Sequence, residues 1–169
     1  IGSVRGDFDG PLVYSANWDH FRDVSFWDAL DAVGVNGYFR LAADGARPTE
    51  PELVAAWAEP LRALAALRAE LGLPLLLTEV GYPSRSTAAA KPWCACPAEP
   101  VDAELQERLI RAMFGAFAGP EALPFDAFYL WNWFGPRDAA DGGYSPRGKP
   151  AEAALRDGLA AFRRKRAAP

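Results

Sequence analysis

Histidine, methionine and cysteine are scarce in this sequence. One His, one Met and two Cys stand among its 169 residues. A single imidazole, His20, is too little for a histidine-based metal centre. No Ser or Cys near it sits in a nucleophile-elbow context, so a triad is not expected. Metal-ligand spacing and a glycine-rich phosphate loop are also missing, so no metal and no cofactor are expected. Cys94 and Cys96 flank one residue. Closing them on each other would make a strained ring, so the expectation is a loop with two free thiols. No stretch is long and apolar enough to span a bilayer. Positive charge is not in excess: the net charge is −4 and the pI near 5.1. That balance argues against nucleic acid and against an anionic membrane surface as partners. The one basic run, Arg163-Arg164-Lys165-Arg166, reads as a helix C-terminus whose cations suit the macrodipole. No initiator Met and no signal-like start stand at Ile1, so the chain is expected to be a piece of a longer or processed protein. Its compartment stays open between secreted and cytoplasmic.

What is abundant is apolar and aromatic. Half the residues are hydrophobic, and six Trp, five Tyr and ten Phe are present. That suffices for one domain over residues 1–169 with a real core. The periodicity predicts strands over 12–18, 32–39, 74–82 and 125–133. It predicts a short helical stretch over 20–30 and a longer helix from Thr49 to Gly72, kinked or broken at Pro60. Thr49 and Glu52 form a capping-box pattern, and Gly72 reads as the C-terminal glycine. A further helix starts at Asp102 and stops at Gly119-Pro120. Lys149-Pro150 opens the last one. Residues 84–100 form a loop long enough to suggest a function. Strand and helix alternate four times, which implies a parallel sheet with crossover helices. Every strand runs apolar in its body and polar or aromatic at its C-terminal end. A (β/α)8 barrel with its site at that end accounts for this grammar, but a barrel has eight units and about 250 residues. By count this chain is half a barrel.

Glu79 is the residue the pattern singles out. It ends the apolar run Pro74-Leu75-Leu76-Leu77-Thr78, where an unpaired buried charge would be costly but a strand-end catalytic group is at home. Trp18, Tyr38, Tyr82, Trp131 and Trp133 are predicted at the same rim. Indole faces stack on the C–H face of a pyranose, and Asn and Tyr bond its hydroxyls. A carboxylate between them can attack or stabilise an oxocarbenium ion. The candidate set is therefore Glu79 as the catalytic residue, with Asn17, Trp18, Tyr38, Tyr82, Trp131 and Trp133 as substrate contacts. The alternatives are structural: Glu79 salt-bridged at a strand end, Asn17 and Tyr38 as hydrogen-bonders of the fold, and Tyr82 as a turn cap. Strand alternation puts Trp131 and Trp133 on one face, with one of the two expected in the core. Asp138 and Asp141 read as solvated loop acids, and Asp19 as a reserve second carboxylate.

Four segments then carry a resemblance: Tyr14-Ser15-Ala16-Asn17-Trp18; Phe26-Trp27-Asp28-Ala29-Leu30-Asp31 with Val35-Asn36-Gly37-Tyr38-Phe39; Leu77-Thr78-Glu79-Val80-Gly81-Tyr82; and Leu130-Trp131-Asn132-Trp133-Phe134. Together, and with Ser145-Pro146-Arg147-Gly148-Lys149-Pro150 before the last helix, they resemble glycoside hydrolase family 113, β-mannanase-like enzymes of a large retaining clan. The resemblance implies an α/β fold, the last four βα units of a TIM (β/α)8 barrel. It implies that Glu79 is the nucleophile at the end of the seventh strand and that residues 1–6 end the fourth helix. The acid/base Glu would precede Ile1. The missing N-terminal half, from the same gene or a second copy, would be this chain's partner, and a carbohydrate its substrate. The sequence departs from the family at Asn36-Gly37, where Asp-Ala is more usual, and at Asn132, where lysine is common. A non-catalytic carbohydrate-binding or regulatory module on the same scaffold is the competing expectation.

Overall fold

The computed structural model describes residues 1–119, 123–135 and 138–167, with side chains up to 165. Four parallel strands lie in sequence order, β1 (Val13–Asn17), β2 (Ala32–Asn36), β3 (Leu75–Val80) and β4 (Ala127–Leu130). Helix α1 (Gly2–Asp7) precedes them. Helices α2 (Glu50–Ala56) and α3 (Ala58–Leu71) connect β2 to β3, α4 (Ala103–Phe117) connects β3 to β4, and α5 (Pro150–Ala167) ends the fold. The alternation read from the sequence is therefore present.

The helix ends follow local chemistry. Thr49 donates from both its amide and its hydroxyl to Glu52 Oε2, at 2.7 and 2.8 Å. The chain breaks at Trp57, between α2 and α3. That is the expected break displaced by three residues: Pro60 sits in the first turn of α3, where its missing N–H costs no intrahelical bond. Gly72 closes α3 in the left-handed region, at φ 66°. Asp102 Oδ1 accepts from the Leu105 amide at 2.8 Å and starts α4. The expected stop at Pro120 and the Arg166 side chain of the basic run lie outside the described residues.

One expected helix is not there. Residues 20–30 form isolated turns and a single 3-10 turn, Trp27–Ala29. Phe21, Trp27 and Leu30 are buried all the same, and the Trp27 indole donates to the Phe21 carbonyl at 3.0 Å. Side chains that prefer turns, Asp23, Ser25 and Asp28, punctuate the stretch and compete for its backbone.

Leu75, Leu77, Val33 and Val35 are fully buried on the sheet's helix face. They meet an aromatic row in which the rings of Phe39, Trp57, Phe117 and Phe125 follow at 5.6, 5.3 and 4.9 Å. The opposite face of the sheet is open. Val13 and Tyr129 on it remain 43% and 58% exposed.

The long loop carries a second correction. Cys94 and Cys96 are joined in a disulfide. The backbone folds back at Cys96, at φ 36°, and brings the two Cα atoms to 5.0 Å, inside the usual range for such a bond. Sequence spacing alone did not reveal that turn.

Candidate active site

Regular alternation along β3 would carry Glu79 to the helix face with Leu75 and Leu77. It does not go there. The pairing register of β3 shifts between Leu77 and Val80 on one side, and that of β2 shifts between Val35 and Asn36 on the other. Irregularities of this kind re-aim a side chain at a strand end. Glu79 is consequently half-buried at the rim, and the Tyr38 hydroxyl donates to its Oε2 at 2.6 Å. The Glu79 backbone is held as firmly, since its carbonyl accepts from the Gly37 amide at 2.6 Å.

A polar row runs across the neighbouring strand ends. Thr78 Oγ1 donates to Asn36 Oδ1 at 2.9 Å, and Asn36 Nδ2 donates to Asn17 Oδ1 at 3.2 Å. Asn17 is exposed at the end of this row.

The remaining predicted residues divide. Trp131 and Trp133 are 44% and 53% exposed, so neither packs into the core. The strand stops at Leu130, and strand alternation does not apply to them. The peptide bond between Trp131 and Asn132 is cis. The Arg147 guanidinium lies 5.8 Å from the centre of the Trp133 ring. Trp18 is half-buried and stacks on Trp93, with ring centres 4.9 Å apart and 19° between planes. Tyr82 is in the core, 2% exposed, with the Trp57 indole beside its hydroxyl and no hydrogen bond to Glu79. Its side chain lies in the core beside Trp57 and is not among the groups exposed at the rim. Asp19, the reserve carboxylate, bonds the His20 ring at 2.8 Å in an exposed pair. Asp141 is not simply solvated. It lies 3.3 Å from the ammonium of Lys149, whose side chain is 1% exposed and also reaches the Gly143 carbonyl at 3.0 Å.

Two residues beside the candidate site are not singled out by the sequence pattern. Tyr144 packs its ring 6.0 Å from that of Tyr38 and donates its hydroxyl to the Pro92 carbonyl at 2.9 Å. Gln106, fully buried on α4, accepts from the Ser84 hydroxyl at 2.7 Å. It donates to the carbonyls of Tyr82 and Tyr144 at 2.8 and 3.0 Å, and so clamps the loops that follow β3 and β4. A polar residue in the apolar stripe of a predicted helix was the available signal for Gln106.

Burial, and then the hydrogen bond to Glu79, raise the pKa of Tyr38 far above the ordinary phenol value. Burial, and then the Glu79 charge, push Tyr144 up to about 12. Burial also raises Tyr82. All three bind their protons more tightly folded than unfolded. Their contribution to stability is complete below pH ~10, where free tyrosine titrates, and is lost as pH rises through the folded values. Urea unfolding at pH 9, 10 and 11 is expected to give a stability that falls steeply above pH 10, with up to about 1.4 kcal/mol per pH unit from each such tyrosine. Tyr38→Phe is expected to make the slope shallower. An unchanged slope in that variant would contradict the assignment.

The profile of glycoside hydrolase family 113 matches residues 1–145. The GH113 β-mannanase AaManA from Alicyclobacillus acidocaldarius, solved in complex with ManMIm, is 31% identical and superposes with a TM-score of 0.75. The match covers 95% of this chain and 48% of that one. A GH113 β-1,4-mannanase structure is 25% identical over 96% of this chain and 48% of its own, also at a TM-score of 0.75. A GH2 β-galacturonidase from Eisenbergiella tayi, 19% identical with a TM-score of 0.52 over 91% of this chain and 27% of its own, shares the fold alone. No curated protein matches the sequence. The chain thus spans about half the length of the family-113 structures it matches, and its four parallel βα units correspond to about half of their TIM barrel. On its profile match and its likeness to these structures, the chain belongs to glycoside hydrolase family 113.

Proposed function

We propose that this chain is the C-terminal part of a retaining glycoside hydrolase acting on a β-linked polysaccharide or oligosaccharide, with β-1,4-mannan as the favoured substrate. Glu79 is its nucleophile. The observation that carries this reading is the 2.6 Å bond from Tyr38 to Glu79 Oε2 at the C-terminal end of β3. It fixes one carboxylate oxygen and leaves the other free to act. That oxygen attacks the anomeric carbon as the glycosidic C–O bond breaks, and the leaving oxygen takes a proton from a general acid. Water then cleaves the glycosyl ester with the sugar's configuration retained. The general acid belongs about 5–5.5 Å from Glu79. We assign it to further strand–helix units that cover the open sheet face and the edges of β1 and β4. Those units come from the same polypeptide or from a second chain. The mannan assignment rests on the two family-113 mannanases similar to this chain.

The test is NMR of the first product formed by the full-length protein on mannohexaose, together with the Tyr38→Phe variant. The expected product is the β-anomer. Tyr38→Phe is expected to lower kcat about 10- to 100-fold, because a charge-assisted bond of roughly 1.5–3 kcal/mol is lost. An α-anomer as first product sinks the retaining mechanism. Oligosaccharide binding without any turnover would favour the non-catalytic module.

A further inference from the structure

The loop over residues 84–101 is fastened at several points that do not involve Trp93. The Arg85 guanidinium donates to the carbonyls of Ala95 and Glu99 at 3.1 and 2.8 Å. The Ser86 amide reaches the Pro100 carbonyl at 3.0 Å, and Tyr144 holds Pro92 at 2.9 Å. The disulfide between Cys94 and Cys96 closes the tip directly after Trp93. Trp93 nonetheless remains 44% exposed. One face of its indole is covered by Trp18, a contact separate from the bonds that fasten the loop. A continuous chain of contacts links it to Glu79: Trp93 follows Pro92, Pro92 is bonded by Tyr144, Tyr144 packs on Tyr38, and Tyr38 holds the carboxylate.

We propose that Trp93 is the stacking platform of a substrate subsite two or more sugar units away from Glu79, held out by the disulfide-closed loop and backed by Trp18. The ligand is a pyranosyl unit of a β-linked hexose chain, whose axial C–H groups pack on the open indole face. A rigid aromatic fixed before binding loses little conformational freedom when the sugar arrives, which is why such residues dominate binding energies. Trp18 serves as the wall behind the platform, which refines its expected role as a direct contact. This inference rests on the reading of Glu79 as the nucleophile, since only then does the rim carry a substrate chain.

The experiment is calorimetric titration of the full-length protein with turnover blocked by Glu79→Gln. The probes are β-1,4-linked mannobiose, mannotetraose and mannohexaose, with cellohexaose as the comparison. Trp93→Ala is expected to weaken hexaose binding about tenfold, the effect of truncating one buried anchor. The loss should shrink with chain length and vanish at the disaccharide. Trp93→Phe should recover most of the affinity, and Cys94→Ser with Cys96→Ser should lose affinity in the same direction as Trp93→Ala. Urea midpoints within error of the parent establish that these variants are folded. Unchanged hexaose affinity in Trp93→Ala overturns the proposal, as does an equal loss at every chain length. Failure of the nucleophile reading shows up elsewhere, as turnover that survives Glu79→Gln.

Discussion

Glu79→Gln in the full-length protein is expected to lower kcat on β-1,4-mannan by about four to six orders of magnitude, the scale seen when a covalent nucleophile is removed. The substitution is chosen because it changes little else. A glutamine carbonyl can still accept from the Tyr38 hydroxyl, so the bond now 2.6 Å long survives. The buried phenol keeps its partner and the rim keeps its shape. What disappears is the negative charge and the ability to form a glycosyl ester. Glu79→Ala is expected to be as inactive, and it opens a space beside the anomeric carbon. Azide should enter that space and restore part of the turnover of an activated aryl glycoside, giving the glycosyl azide of inverted configuration. A kcat within about tenfold of the parent in both variants would remove Glu79 from the mechanism. The rim would then be a binding surface.

Gly81→Ala is expected to cost about 3 kcal/mol or more, or to prevent folding. Gly81 is buried two residues beyond Glu79, and a Cβ built on it collides with the Trp131 carbonyl. That obstacle is backbone, and the Trp131 amide is itself tied to the Val80 carbonyl at 2.9 Å. Neither chain can step aside without breaking the junction of β3 and β4. Overpacking of a well-filled interior costs typically about 1–3 kcal/mol when side chains can adjust, and more when they cannot. Gly115→Ala provides the internal control. Its Cβ would meet only Val54 Cγ2, at 3.0 Å, on the exposed surface of α4. A side-chain methyl can move, and alanine gains about 1 kcal/mol of helix propensity over glycine. Urea denaturation should show Gly115→Ala near the parent and Gly81→Ala far below it. Equal stabilities would mean that the close approach of Gly81 to Trp131 is not a constraint.

The order of elements was legible because it rests on local signals. Apolar runs bounded by turn residues, the Thr49–Glu52 pair, Gly72 and the Asp102 cap each act within a few residues, and each is found where the sequence puts it. The stretch 20–30 departs from its expected helix for the complementary reason. Its apolar residues are buried as expected, but burial there is satisfied by turns, and periodicity cannot distinguish the two. The strand expected over 125–133 is shorter in the structure, because aromatic residues favour strand whether or not they pair. Beyond Leu130 the regular ladder ends, and one bond, from the Trp131 amide to the Val80 carbonyl, still joins the segment to β3.

The sequence by itself determined the alternation of strands and helices, the parallel sheet, and a carboxylate at the C-terminal end of the third strand in an aromatic setting. Tertiary structure alone decided which way that carboxylate points. Alternation would have buried Glu79 with Leu75 and Leu77, and only the register shifts against β2 and β4 turn it to the rim. It likewise chose Tyr38, 41 residues earlier in the chain, as the hydrogen-bond partner. It sent Tyr82 into the core, closed Cys94 on Cys96, and laid Trp93 on Trp18. The physical reason is the same in each case. Propensity and periodicity describe a residue's own segment, whereas register, burial and ring contacts are properties of two segments meeting, and a partner distant in sequence leaves no local trace.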